Sequence, residues 1–359
     1  MNRRQNDKRT TVLIILILLI QRPHVRCNVF SVDLLSDEVG NPIGQVFVGV
    51  QQFRILFDTG GFTRWLPSSA SEDDNFEGKI RYDVKSLTRT SLGRGYVTSY
   101  GEDSHEGNVV ADNLLIEEHC IPSFIFVEMM KIAGSVDKRE GYDGVFGMKR
   151  PEKSHVAWEF FGTTLIDHLV NADIVEGGVF TFRFCGQPGV RGVSWFERGD
   201  LVFGGVRADH HYEPIVYLPV WESKQWIVYV DRIAYGNIIL CTACRVIVDS
   251  GSPVTYAPKR STRILLKHSV VEEYANGILH IEPQNLPHVR EINVTLRSQI
   301  FTLPPKELIR YKSEVHVFGI QLEPNVQKKE WVFGISFLRH FLTIFNQQRN
   351  QLGFALVNC

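Results

Sequence analysis

Hydrophobic and polar positions in this chain mostly repeat with a period of two. Phe180-Thr181-Phe182-Arg183-Phe184 alternates strictly, which predicts a strand with one face buried. Residues 45–57 are rich in Val, Phe, Ile and Leu with polar residues between them, and also read as strand. Ile227-Val228-Tyr229-Val230 is a short β-branched and aromatic run of the same kind. Gly177-Gly178 predicts a turn just ahead of the strand at Phe180, since glycine reaches backbone angles closed to other residues. Residues 157–170 are the one segment whose pattern predicts a helix. The expectation is a mostly β protein.

The N-terminus follows another pattern. Residues 1–11 carry Arg3, Arg4, Lys8 and Arg9, residues 12–20 are uninterruptedly apolar, and Gln21-Arg22-Pro23-His24 is polar. A basic start, a short apolar run and a helix breaker predict a secretory signal peptide over residues 1–27, cleaved near Val25-Arg26-Cys27. An uncleaved anchor is the alternative, but spanning a bilayer takes about 20 apolar residues and this run is shorter. The expected destination is secreted or endolysosomal, with no stable membrane association after cleavage.

An internal repeat carries more information. Ile55-Leu56-Phe57-Asp58-Thr59-Gly60 in the first half is matched by Ile247-Val248-Asp249-Ser250-Gly251 in the second. Each is an apolar strand ending in Asp, a hydroxyl residue and Gly. At nearly equal distances downstream stand Val145-Phe146-Gly147 and Val332-Phe333-Gly334. Two matches in the same order and spacing predict two related lobes, each presenting one carboxylate at the end of a buried strand. A length of 359 residues agrees, at about 150 residues per domain. The expected division is 28–208 for the first lobe and 209–359 for the second, packed closely because no flexible linker is visible.

Composition narrows the function. Lys and Arg total 39 against 40 Asp and Glu, so no basic surplus invites nucleic acid or anionic lipid. The six cysteines suit an oxidising compartment without making a disulfide scaffold. Cys241 and Cys244 could staple a tight loop, act in redox chemistry or form half of a zinc site. No second such pair accompanies them, and the secretory start favours the staple. Pairing among Cys120, Cys185 and Cys359 is not determined by spacing. Asn293-Val294-Thr295 is a glycosylation sequon at Asn293.

The paired carboxylates suggest a chemistry. Asp58 and Asp249 at a lobe interface would share a proton, because two adjacent carboxyls resist double ionisation. The ionised member takes a proton from attacking water and the protonated member polarises a carbonyl oxygen. This reaction calls for no metal, cofactor or covalent nucleophile. Backbone N–H groups of Gly60 and Gly251 and nearby hydroxyls could hold the carboxylates, and the glycines would let substrate approach closely. A single Asp-Thr-Gly would be read as an ordinary turn; the pair changes that reading.

Asp58-Thr59-Gly60-Gly61-Phe62-Thr63-Arg64-Trp65-Leu66-Pro67 and Ile247-Val248-Asp249-Ser250-Gly251-Ser252 resemble the two active-site segments of pepsin-like aspartic peptidases. Gly204-Gly205-Val206, His211-Tyr212, Tyr217-Leu218-Pro219-Val220 and Trp226 resemble the passage between lobes. Phe337-Leu338-Arg339, Ile344-Phe345 and Gly353-Phe354-Ala355 resemble the closing strands. The resemblance covers nearly all of the chain after residue 27. It implies a two-lobed double β-barrel with a cleft between the lobes, and an aspartic-type endopeptidase acting on a peptide or protein substrate. It implies Asp58 and Asp249 as catalytic residues, with Gly60, Gly251 and Ser252 at the substrate. It also implies Tyr100-Gly101 as the tip of a flap, with the Tyr100 hydroxyl free to bond the Trp65 indole; otherwise Tyr100 is a half-buried strand tyrosine. Cys241 and Cys244 resemble a small family disulfide.

Some positions depart from that pattern. Gly61 stands where the family has a serine whose hydroxyl bonds the first carboxyl, and its loss is expected to raise the pKa of Asp58. Glu102-Asp103-Ser104-His105-Glu106 replaces a small uncharged flap tip, either tuning closure with pH or forming a solvated hairpin end. Pro253 removes a backbone donor beside the second Asp. The short stretch before Asp58 leaves no room for an inhibitory prosegment. These departures support an alternative, a pepsin-like protein that binds peptide or another ligand with a weak or silent dyad.

Overall fold

In the computed structural model the described residues are 29–359, except 101–102, 133, 135–139, 150–155, 187–194, 222–224, 275–277, 313 and 324–328. The signal-peptide expectation lies outside the described residues, as do Gly101 and Glu102 of the flap tip. The described residues are mostly strand, arranged as sheets of 13, seven and four strands.

The 13-stranded sheet is built from both halves of the chain. Phe30–Ser36 pairs with Arg198–Phe203, which pairs with Val179–Cys185. Val179–Cys185 then pairs with Phe341–Asn346, and that strand with Gln351–Val357 and in turn His211–Pro219. Strands from the two ends of the sequence thus lie side by side, which joins the halves through backbone hydrogen bonds. The alternation read at Phe180 places Phe180, Phe182 and Phe184 in the core, where Phe180 stacks on Phe345 at 4.8 Å between ring centroids. Trp226 packs edge-on to both rings and donates its indole N–H to the Met148 carbonyl at 3.1 Å. Burying one such ring contributes about 1.5–3 kcal/mol, so this aromatic layer is a substantial part of the junction.

Two expectations need refinement. Residues 45–57 are two antiparallel strands, Pro42–Val48 and Gln51–Asp58, joined at Gly49, whose φ of 60° permits the tight turn. The helix expected over 157–170 is two helices, Val156–Phe161 and Leu165–Asn171. Gly162 at φ 63° breaks the run. Thr164 restarts it through a capping box in which its hydroxyl accepts from the Asp167 N–H and the Asp167 carboxylate accepts from the Thr164 N–H. The 3.6-residue apolar period survives that break, which is why the pattern alone does not reveal it.

Cysteine pairing is settled by the fold. Cys185 at the end of its strand is bonded to Cys359, the last residue, and Cys241 is bonded to Cys244. Among the described residues Cys120 is free and exposed.

Candidate active site

The repeat seen in the sequence is a repeat in space. Gln51–Asp58 lies parallel to Gly144–Gly147, with Phe57 opposite Phe146 and Asp58 opposite Gly147. Ile238–Val248 lies parallel to Trp331–Phe333, with Ile247 opposite Val332 and Val248 opposite Phe333. In each half a third strand, Arg64–Pro67 or Thr255–Ala257, returns antiparallel to the second. The loop between the first and third strands carries the Asp and crosses the end of the second. Gly147 and Gly334 are required by that crossing. A Cβ on Gly147 would come within 2.5 Å of the Phe62 Cα, and one on Gly334 would overlap the Ser252 and Val254 carbonyls. The apolar-apolar-Gly motif is thus the floor on which each Asp loop rests.

The two loops interlock. The Thr59 N–H donates to the Ser250 hydroxyl at 3.0 Å and the Ser250 N–H donates to the Thr59 hydroxyl at 2.9 Å. The Thr59 hydroxyl donates onward to the Val248 carbonyl at 3.0 Å, and the Ser250 hydroxyl to the Phe57 carbonyl at 2.6 Å. Both side chains are buried, so each bond works in a low dielectric and would be costly to leave unmade. Sequence reasoning noticed hydroxyls near the carboxylates but missed this reciprocal clasp. The signal was present in the hydroxyl residue at the same place in both motifs.

Asp58 and Asp249 are brought into hydrogen-bonding contact. The Gly60 N–H donates to Asp58 Oδ1 at 2.8 Å, and the Gly251 N–H to Asp249 Oδ1 at 2.8 Å. Each glycine also faces the opposite carboxylate. A Cβ on Gly60 would sit about 2.5 Å from the Asp249 carboxyl carbon, and one on Gly251 about 2.6 Å from that of Asp58. Burial is the largest cause raising the Asp58 pKa far above the ordinary carboxylate range, followed by the charge of Asp249; the Gly60 and Gly61 N–H groups pull the other way. Both causes favour the protonated form of the Asp58 carboxyl.

The outer oxygens differ. The Ser252 hydroxyl donates to Asp249 Oδ2 at 2.8 Å. At Gly61 the Asp58 Oδ2 occupies the space that a Cβ would need, so the missing serine is replaced by a closer carboxyl and a backbone donor. The raised Asp58 agrees in direction with the expectation from Gly61, but burial and Asp249 are its leading causes. Pro253, expected to cost a donor, leaves a carbonyl that accepts from the Ser336 N–H at 3.3 Å.

Tyr100 ends the strand Thr90–Tyr100 and pairs with Asp103 at the head of the return strand Asp103–Ile116, so the hairpin is present. The position of its side chain, and with it the bond to Trp65, lies outside the described residues. Trp65 is buried against Phe76 and Tyr142. Asn293 is half-buried on the strand Ile292–Leu296, with its amide oxygen accepting from the Thr302 hydroxyl at 2.7 Å. Beside the Asp58 loop, Arg64 turns its guanidinium into the interior between the rings of Phe124 and Phe161, with no hydrogen-bond partner among the described residues for any of its three nitrogens.

Comparison with known proteins gives the same picture. The profile of the eukaryotic aspartyl protease family matches residues 38–357. Pepsin B of Canis lupus familiaris is 25% identical over 323 residues, covering 87% of this chain and 80% of that protein. Cathepsin D of Chionodraco hamatus is 26% identical over 328 residues and human gastricsin 24% over 321, each with the same coverage. A match over nearly the whole described chain, with both Asp loops in place, means that this protein belongs to the eukaryotic aspartyl protease family.

Proposed function

We propose that this protein is an active aspartic-type endopeptidase, with Asp58 and Asp249 as its catalytic residues. The observation that carries the reading is the contact between the two carboxyls, each held by the N–H of the glycine two residues on. The shared proton rests on Asp58, whose burial disfavours its charge, while Asp249 accepts from Gly251 and Ser252. A water between them gives a proton to Asp249 as its oxygen bonds to the peptide carbonyl carbon. Asp58 passes its proton to the carbonyl oxygen, which forms a gem-diol. The proton on Asp249 then moves to the amide nitrogen, the C–N bond breaks as one gem-diol hydroxyl returns its proton to Asp58, and acid and amine leave with the dyad reset.

The division at 28–208 and 209–359 would assign one Asp loop to each lobe and place an extended peptide between them. Tyr100 would close over that peptide from the hairpin and help exclude water. The N-terminal segment supports passage through the secretory pathway to an extracellular or endolysosomal destination, and the two disulfides suit that route. Among the described residues no helix is long and apolar enough to cross a membrane.

A second reading is a peptide-binding member with a silent dyad, and Gly61 is the observation in its favour. Purified protein incubated with a mixed peptide library from acidic to neutral pH, with and without pepstatin, separates the two. Cleavage that pepstatin blocks and Asp249→Asn abolishes supports the peptidase. A folded protein that binds peptides and cuts none at any pH supports the binder.

A further inference from the structure

The small four-stranded sheet of the second half carries a cluster that the peptidase reading does not use. Glu272 on the strand Glu272–Glu273 lies directly across from His280 on Leu279–Ile281. Side chains two residues apart on a strand share a face, so Glu282, just past that strand, projects beside His280. One ligand atom from each of the three lies within 4.8 Å of the others. His280 is only 7% exposed, and its imidazole makes no hydrogen bond among the described residues. Its Nδ1 stands 3.9 Å from Glu282 Oε1, within ion-pair range but too far for a direct hydrogen bond. The Tyr274 ring packs against the imidazole at 5.2 Å and fixes its plane.

We propose that Glu272, His280 and Glu282 form a divalent transition-metal site, with Zn²⁺ as its ion. A solvated pair of carboxylates explains the two glutamates, but not the largely buried imidazole whose ligand atom lies within 4.8 Å of both. Ligand atoms around tetrahedral zinc are ~3.4 Å apart, given bonds of about 2.0–2.2 Å. The glutamates therefore close in by ~1 Å, which their solvent exposure allows, while the buried His280 stays as the fixed ligand. The imidazole nitrogen selects zinc over calcium or magnesium, which prefer oxygen-only shells. Water completes the coordination. Bound there, the ion ties the two strands to the start of the turn Pro283–His288, which follows Glu282 directly. The site is separate from the Asp dyad and does not depend on peptidase activity.

The test is calorimetric titration of the chelator-treated full protein with zinc chloride at neutral pH, with calcium chloride as control. The expected result is one zinc equivalent, no calcium binding, and a raised melting temperature with zinc. Glu272→Gln should weaken zinc binding about 100-fold or more, since even outer partners of a zinc ligand are worth about 10–100-fold. His280→Ala should abolish it. Glu272 is exposed, so its variant folds and keeps the test decisive if His280→Ala does not. No zinc binding overturns the proposal. So does zinc retained at full affinity in Glu272→Gln, which would place the ion elsewhere, with Cys120 the first candidate.

Discussion

Thr59 and Ser250 each give a backbone N–H to the other's hydroxyl, so the two Asp loops are clasped directly behind the dyad. The carboxyl separation is thereby fixed by buried neutral hydrogen bonds rather than by the carboxyls themselves. Ser250→Ala removes the acceptor for the Thr59 N–H and the donor to Phe57, leaving buried groups unpaired. It should cost about 1–3 kcal/mol in urea unfolding and lower kcat more than it raises KM. Ser250→Thr keeps the hydroxyl and should retain most of both. Equal losses in the two variants would show that volume, not hydrogen bonding, matters there.

Gly251 tests the cross-facing arrangement. A methyl group in Gly251→Ala would press on the Asp58 carboxyl and force the pair apart. A displacement of about 1 Å at reacting groups can cost about 100-fold, so kcat should fall by at least that much. The variant should still fold, because Gly251 is only partly buried. Undiminished cleavage of a peptide substrate would contradict the arrangement.

Both Asp loops and their glycine floors were legible in the sequence because a duplicated chemistry leaves a duplicated motif. The strand at Phe180 was legible from its period of two, and the strand at Ile227 from its run of β-branched and aromatic residues. Other features were not. The break at Gly162 interrupts the backbone without interrupting the apolar period. The Cys185–Cys359 bond joins residues that only the sheet brings together. Glu272 and His280 become neighbours through strand register, which no local pattern encodes. In the sequence Arg64 was legible only as part of the Asp58–Pro67 segment, and its burial on a strand whose four residues are all buried has no local signal.

The raised Asp58 has a consequence for stability. A carboxyl whose folded pKa is raised contributes stability that is fully present below its unfolded value, near 4. That contribution is lost as pH rises toward its folded value of about 8. Unfolding free energy should therefore fall between roughly pH 4 and pH 8, and Asp58→Asn should flatten the fall. Urea titrations of both proteins across that range check it. An identical slope in the variant would remove Asp58 as the source.

The two disulfides should differ in weight. Cys185 and Cys359 are 174 residues apart in sequence, whereas Cys241 and Cys244 are three apart. Closing a long loop restricts the unfolded chain more, so Cys185→Ser with Cys359→Ser should cost about 2–5 kcal/mol. The paired change at Cys241 and Cys244 should cost less. Comparing urea midpoints of the two double variants decides the order.

Arg64 sets the last expectation. Its guanidinium is buried with no hydrogen-bond partner among the described residues, and burial lowers its pKa to about 9, a sign that the charge is poorly accommodated. Contacts with the Phe124 and Phe161 rings, 4.9 Å and 4.5 Å from the guanidinium carbon, return only part of that cost. Replacing a buried charged group by an apolar one of similar length is often neutral or stabilising by about 1–4 kcal/mol. Arg64→Met should therefore raise the melting temperature and leave peptide cleavage unchanged, because the side chain points away from the cleft into the lobe interior. Arg64→Lys should lower the melting temperature, since the ammonium is more strongly hydrated and stacks less well on the rings. If Arg64→Met destabilises the fold instead, the guanidinium holds a partner that its contacts with the two rings do not reveal.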